Sequence, residues 1–476
     1  MLLLLVAVWM LSMEKYQNIL VKRVSKFLSE KLHTKVEIAH VKFTFFNNFN
    51  IEGVYIEDDQ KDTLAYVGSL KIKSSDLLSA YWNDQTPVIK HLELADGFVY
   101  INRSKDSVWN YDFLNAAFGS GNKDTIKKDL AEKKGQTSDK ALLDLKELRC
   151  KNVKFYMDDA WAGRDMRFEV GSLALDVENF DLAKWTIKIK SIAVDQTNVL
   201  VKEYVGAEPE DLTPDDTTEW GTPFNPGQIA LSLQNLTIAN SSFRFQNGTD
   251  TGKAGEFDAK DMFFKNISLA MENTKVVADT LFANIRQLHV EERCGLQIKD
   301  LSGQLKLSQV QAQLSQMKLE TNHSLLQDHY EMQYRNFHDF NDYIHKVQMI
   351  ARLKKSTVSS IDIAYFANTL KQYPIAVNLN AAANGTVDNL DIQIDDLNTR
   401  NSSLAGHVNI KGLPDINETI FNADITQLVT SGSDLNALIP QTKVEAIAWN
   451  ELKSIRFKGQ YSGRVNDFHT KGDLLT

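Results

Sequence analysis

The stretch K-V-E-I-A-H-V-K-F-T-F-F, Lys35 to Phe46, is where the apolar period of the chain changes from helical to two. Val36 and Ile38 alternate with Glu37, and Val41, Phe43 and Phe45 alternate with Lys42 and Thr44. Apolar and polar side chains in strict alternation describe a strand buried on one face only. Val54 and Ile56 flank Tyr55 in the same way, before the turn-like Glu57-Asp58-Asp59.

Working outward, the texture returns in Ser69 to Lys73, Val88 to Leu94, Phe98 to Ile101, Val153 to Met157, Leu173 to Val177, Ile187 to Val194 and Val199 to Val201. It continues through Ile229 to Leu233, Leu236 to Ile238, Phe243 to Phe245, Ile285 to Val290 and Leu305 to Leu307. Val347 to Leu353, Ile375 to Leu379, Leu390 to Ile394, Val408 to Ile410 and Ile455 to Tyr461 complete the series. The fold class is therefore mainly β. Leu92 to Tyr100 (L-E-L-A-D-G-F-V-Y) matches Leu236 to Phe245 (L-T-I-A-N-S-S-F-R-F) and, less closely, Ile192 to Val201, which reads as a repeated hairpin with a polar turn. Glycine- and serine-bearing residues 119–140 and the proline-containing acidic stretch Glu203 to Pro226 read as loops. The acidic one lacks the spacing of a calcium loop.

Alternating strands carry an apolar face that something must cover. Helical stretches after Leu32 are Asp112 to Phe118, a charged segment near Lys123 to Lys134, and Ile361 to Tyr373, too few to do so. Either the sheet closes on itself as a sandwich or barrel, or it curls into a trough that an apolar ligand fills. Val41, Phe43, Phe45, Leu92, Leu94, Leu236, Ile238, Phe243 and Phe245 are the candidate lining of such a trough.

Before the first strand lies M-L-L-L-L-V-A-V-W-M-L-S-M, residues 1–13, an apolar run that ends at Glu14-Lys15. It favours hydrocarbon, through Leu2, Leu3, Leu4, Leu5, Val6, Val8, Trp9 and Leu11. As a helix it would span roughly 20 Å against a bilayer core of about 30 Å, so it reads as part of a transmembrane anchor. Residues 14–34 follow as an amphipathic helix, with Leu20, Val24, Phe27, Leu28 and Leu32 on one side. Its two readings are a plug over the end of the β body, which is the favoured one, and a helix on the membrane surface.

The bulk numbers exclude whole classes of function. Net charge is −9 and no run of Lys and Arg interleaves with aromatics, which argues against nucleic acid. Cys150 and Cys294 stand far apart, so neither a CxxC redox pair nor a zinc knuckle is present. No P-loop, G-x-S-x-G, H-E-x-x-H or G-x-G-x-x-G occurs, and His323, His329, His338 and His345 match no metal spacing. The expectation is a protein without an enzymatic activity, cofactor or metal.

The order of apolar run, amphipathic helix, Lys35 to Phe46 and I-E-G-V-Y-I-E-D-D-Q-K-D-T-L-A-Y (Ile51 to Tyr66) resembles the N-terminal region of the AsmA-like and TamB-like family of Bacteroidetes. D-G-F-V-Y-I-N-R (Asp96 to Arg103), D-S-V-W-N-Y-D-F-L (Asp106 to Leu114) and, later, Gly385 to Leu413 share that resemblance. It implies an N-terminal AsmA-like β region over 35–118, a linker over 119–140, and a long, curled, repeating β-sheet with an open groove over 141–476. It further implies a single-pass anchor in the bacterial inner membrane, a periplasmic body, and phospholipid acyl chains conducted towards the outer membrane. The alternative it carries is assembly of outer-membrane proteins with a barrel partner. The chain ends in mid-strand at Gly472 to Thr476 and reads as a piece of a longer relative.

Overall fold

A computed structural model describes residues 14–44, 48–74, 89–114, 143–181, 186–209, 225, 227–248, 252–434 and 451–476. The run 1–13 and Phe45 lie outside them, as does the whole of the linker 119–140 with its charged segment near Lys123 to Lys134. The chain divides into two compact units: Met1–Leu212 with Leu231–Thr251 and Lys260–Phe263, and Thr213–Ala230 with Gly252–Ala259 and Phe264–Thr476. Both are mainly β.

The first unit opens with α1 (Glu14–Leu32), followed by β1 (Val36–Thr44), β2 (Asn48–Glu57), β3 (Thr63–Ser74), β4 (Ile89–Arg103), β5 (Leu143–Asp159), β6 (Arg164–Asp181), β7 (Thr186–Glu203) and β8 (Ala230–Asn247). From β1 to β7 each strand pairs with the next, antiparallel except for the parallel β4–β5 ladder. Beside β7, Asn240 donates to Asp195 at 2.9 Å, Ser241 Oγ accepts the Thr197 N–H at 3.2 Å and Ser242 donates to Asn198 at 2.7 Å. These contacts advance together along both strands, so β8 runs in the direction of β7. A parallel neighbour requires the chain to travel back before it pairs. Both interruptions seen in the sequence, 119–140 and Glu203 to Pro226, fall in these two return connections.

The second unit is a meander of β9 (Asp261–Val277), β10 (Thr280–Glu292), β11 (Gln297–Ser308), β12 (Gln311–Glu320), β13 (Leu325–Gln333), β14 (Gln348–Ser359), β15 (Ala376–Gly385), β16 (Asn389–Asn398), β17 (Ser403–Lys411), β18 (Ile420–Thr430), β19 (Ile455–Gly463) and β20 (Phe468–Leu475). Every neighbouring pair is antiparallel. Among the described residues its helices are short: α2 (Tyr343–Lys346), α3 (Ser360–Ile363) and 3-10 turns at Phe337–Asp342 and Asn368–Gln372. The helix expected over Ile361 to Tyr373 is thus two separate turns.

Three further expectations need correction. The polar segments read as hairpin turns lie inside unbroken strands: Asp96 in β4, Gln196 in β7 and Asn240 in β8. Each has a positive φ, 53°, 51° and 47°, which turns the strand without ending it. The structure does not support an N-terminal membrane helix, because among the described residues no helix is long and apolar enough to cross a bilayer. Finally, α1 rests on β1 through a different side than the sequence implied. Val21 and Leu32 are buried and Leu28 is half-buried, whereas Val24 is 37% and Phe27 61% exposed. Leu20 lies in the helix, but its side chain is outside the described set. The helix ends at His33, in the left-handed conformation of a C-cap, and Ser29 Oγ both donates to Val36 O (3.2 Å) and accepts its N–H (2.9 Å).

Candidate apolar face

In the first unit, cross-strand partners build apolar rows. Val41, Ile51, Leu70, Leu94, Cys150, Leu173 and Val194 stand side by side from β1 to β7. Next to them run Ile72, Leu92, Leu148, Leu175 and Ile192. All of these are half-buried and none is buried. Leu94 stands in the first of these rows with Val41, and Leu92 in the second. Phe43 pairs with Phe49 by its backbone, but its side chain lies outside the described set.

The rows cross a line at which the alternation changes phase. Gly53, Gly68, Asp96, Asn152, Gly171 and Gln196 stand opposite one another from β2 to β7. Gly53, Asp96, Asn152 and Gln196 have φ between 50° and 64°. Aspartate and asparagine enter this region more readily than most residues, and Asn152 Nδ2 donates to Asp96 Oδ1 at 2.7 Å. Between them, glycine is needed. A Cβ on Gly68 would lie 2.8 Å from the Asp96 Cβ, and one on Gly171 2.7 Å from that of Gln196. Before the line the apolar positions of β4 are Leu92 and Leu94, and after it Val99 and Ile101, five residues on where plain alternation gives an even number. The same step separates Cys150 from Phe155, Val194 from Val199 and Ile238 from Phe243. The left-handed residue restarts the pleat one position later, which keeps the apolar side chains on one face. Val99, Phe155, Phe168 and Val199 form the continuing row. Leu236, Ile238, Phe243 and Phe245 are half-buried and fit the same scheme on β8.

The second unit reaches the same end with extra residues. Gln316 on β12, Lys354 and Lys355 on β14, Asp395 on β16 and Thr426 on β18 mark bulges against the strands on both sides. Alternate strands thus carry the added residue at one level of the sheet. On one side of it, Leu305, Leu314, Tyr330, Ala351, Ala383, Ile392, Val408, Ala423 and Tyr461 stand in a row, all half-buried. The other face is polar: Asp391, Asn409, Asn422 and Ser462 are successive partners, and Ser462 donates to Asn422 at 2.7 Å.

One insertion touches the apolar row. The segment between β13 and β14 places the Tyr343 hydroxyl 2.9 Å from that of Tyr330 and donates from it to Met332 Sδ at 3.7 Å. Burial pushes the Tyr330 hydroxyl well above the ordinary tyrosine range. Tyr334, 3% exposed, anchors the segment by donating to Ser308 O at 2.9 Å.

Among the described residues no three His, Cys, Asp or Glu side chains are placed to hold a metal. The histidines of the 323–345 stretch go to separate tasks: His323 to Asp362 (3.0 Å), His329 to Glu331 (3.4 Å) and His345 to Asp342 (2.6 Å). Asp362 is desolvated, but hydrogen bonds from Thr321, Ser324 and His323 more than offset that and hold its carboxyl below the usual range. This cluster anchors α3. Cys150 and Cys294 are both free thiols. In comparisons with known proteins, no family model, no curated protein and no solved structure matches the chain.

Proposed function

We propose that the apolar face is a track for phospholipid acyl chains, in an envelope protein of the AsmA-like and TamB-like kind that carries lipid from the inner towards the outer membrane. The observation behind this reading is the half-burial of the apolar rows that run from β1 to β7 in the first unit and from β11 to β19 in the second. In a closed sandwich such side chains interdigitate with a second layer and become fully buried. Here only seventeen apolar residues are buried among those described, three of them the alanines Ala283, Ala364 and Ala381. Strands stand about 4.8 Å apart, so an acyl chain laid across four of them covers side chains continuously and gains roughly 0.8 kcal/mol per CH₂ removed from water. No single contact dominates, which suits cargo that slides. An N-terminal anchor in the inner membrane and a periplasmic body belong to the same proposal.

Photo-crosslinking tests it. A diazirine side chain at Ile392 or Val408 should capture phospholipid in cells, and one at Gln393 or Asn409, on the polar face, should not. Equal capture on both faces, or none on either, would defeat the reading. The second reading is assembly of outer-membrane proteins by strand addition to the sheet. Capture of protein instead of lipid at Ile392 would favour it.

A further inference from the structure

We propose that the outward side of α1 is a docking surface for an anionic phospholipid bilayer. The helix has two apolar sides and the sheet uses one. Val21 and Leu32 are buried towards β1, while Ile19 is 44%, Val24 37% and Phe27 61% exposed. Ile19, Arg23, Phe27 and Lys31 follow at intervals of four and so form one column along the helix. An aromatic ring with a cation one turn before and one turn after it suits the boundary between headgroups and acyl chains. The ring enters the boundary, and the long cationic side chains reach up to phosphate.

Charge selects the partner. The helix holds Lys15, Lys22, Arg23, Lys26 and Lys31 against Glu14 and Glu30, a net positive charge on a chain whose total is −9. A bilayer surface rich in anionic lipid matches that local sign; an acidic or neutral protein groove would not need the exposed phenylalanine beside two cations. The apolar sequence of residues 1–13 immediately precedes the helix and has the same preference for lipid. The inference goes beyond the lipid-track reading and does not depend on it, since it concerns where β1 is held and not what the sheet carries.

The test uses the full chain, labelled with the fluorophore NBD at Phe27→Cys or Lys22→Cys in a Cys150→Ala background. Cys294 is 5% exposed and is left in place. With phosphatidylcholine vesicles containing phosphatidylglycerol, the label at 27 should shift to the blue and be quenched by headgroup-proximal spin-labelled lipid. The label at 22, on the side facing the first strands, should do neither. Arg23→Gln should lower the docked-to-undocked ratio at position 27 by about fivefold on the anionic vesicles and leave it unchanged on phosphatidylcholine alone. No response at 27, an equal response at 22, or a blue shift at 27 without vesicles, which would mean a protein contact, overturns the inference. Phospholipid capture at Ile392 reports on the other proposal and is read separately.

Discussion

At the scale of single residues, the sheet depends on positions where the backbone leaves the β region. Gly406 on β17 has φ 153°, and a Cβ there would sit 2.4 Å from Asp424 O. Gly248 has φ 83° but nothing within 4 Å of its would-be Cβ. Gly406→Val should therefore cost more than about 3 kcal/mol, through backbone strain and a clash with main chain together. Gly248→Ala should cost only about 1 kcal/mol, from conformation alone. Urea unfolding of the two variants would show whether the close approach, and not glycine as such, matters. Asp328 gives a pH-dependent counterpart. Arg352, hydrogen-bonded to its carboxylate at 2.7 and 3.1 Å, and Lys354 hold its carboxyl down to about 2. The folded value is below the unfolded one, so the ion pair stabilises above about pH 4 and is lost as pH falls from there through about 2. Because both partners of this pair are partly exposed, solvent screening keeps its contribution small. Arg352→Ala should move the Asp328 titration, followed by NMR, back towards 4 and remove that part of the acid dependence. An unmoved titration would assign the depression to something other than Arg352.

At the scale of elements, the recurring device is a change of phase inside a strand. On β12 the apolar positions are Ala312 and Leu314 before the bulge and Met317 and Leu319 after it; on β18 they are Ala423 and Ile425, then Leu428. Inserting one residue after Gln316, with the bulge kept, would turn Met317 and Leu319 to the polar face, or else force β12 to slip against both neighbours. The expected loss is about 3 kcal/mol, from two large apolar side chains removed from their row. A denaturation midpoint equal to that of the parent would show that the bulge does not set the face. Much of this was present in the sequence as a repeat, apolar residues at fixed distances around Asp96, Gln196 and Asn240. The repeat was legible, but its meaning was not. A polar residue between apolar pairs is the usual mark of a turn, and only hydrogen bonds made with neighbouring strands distinguish a left-handed residue within a strand from one that ends it. The side of α1 that meets β1 was hidden for a similar reason. Leu20, Val24, Phe27, Leu28 and Leu32 do share a helical side, but Val21 and Ser29 decide the orientation, through contacts with a strand that the period of the helix cannot reveal.

At the scale of the molecule, each unit is a β-sheet with one polar and one apolar face, and within each the apolar rows stop short of full burial. The hydrocarbon left exposed by half-burial gains free energy from any apolar layer that covers it, which is the physical basis of the proposed lipid track. The sequence by itself determined the strands, their one-sided apolar character, the long returns before the parallel strands, and the scarcity of helices. These follow from side-chain order along the chain, which alternation records directly. Only the tertiary structure decided that apolar positions of opposite parity share one face, that α1 leaves Phe27 to solvent, and that the rows remain half-buried. Each of these depends on what stands beside a residue in the neighbouring strand or above it in space, and no local period contains that information.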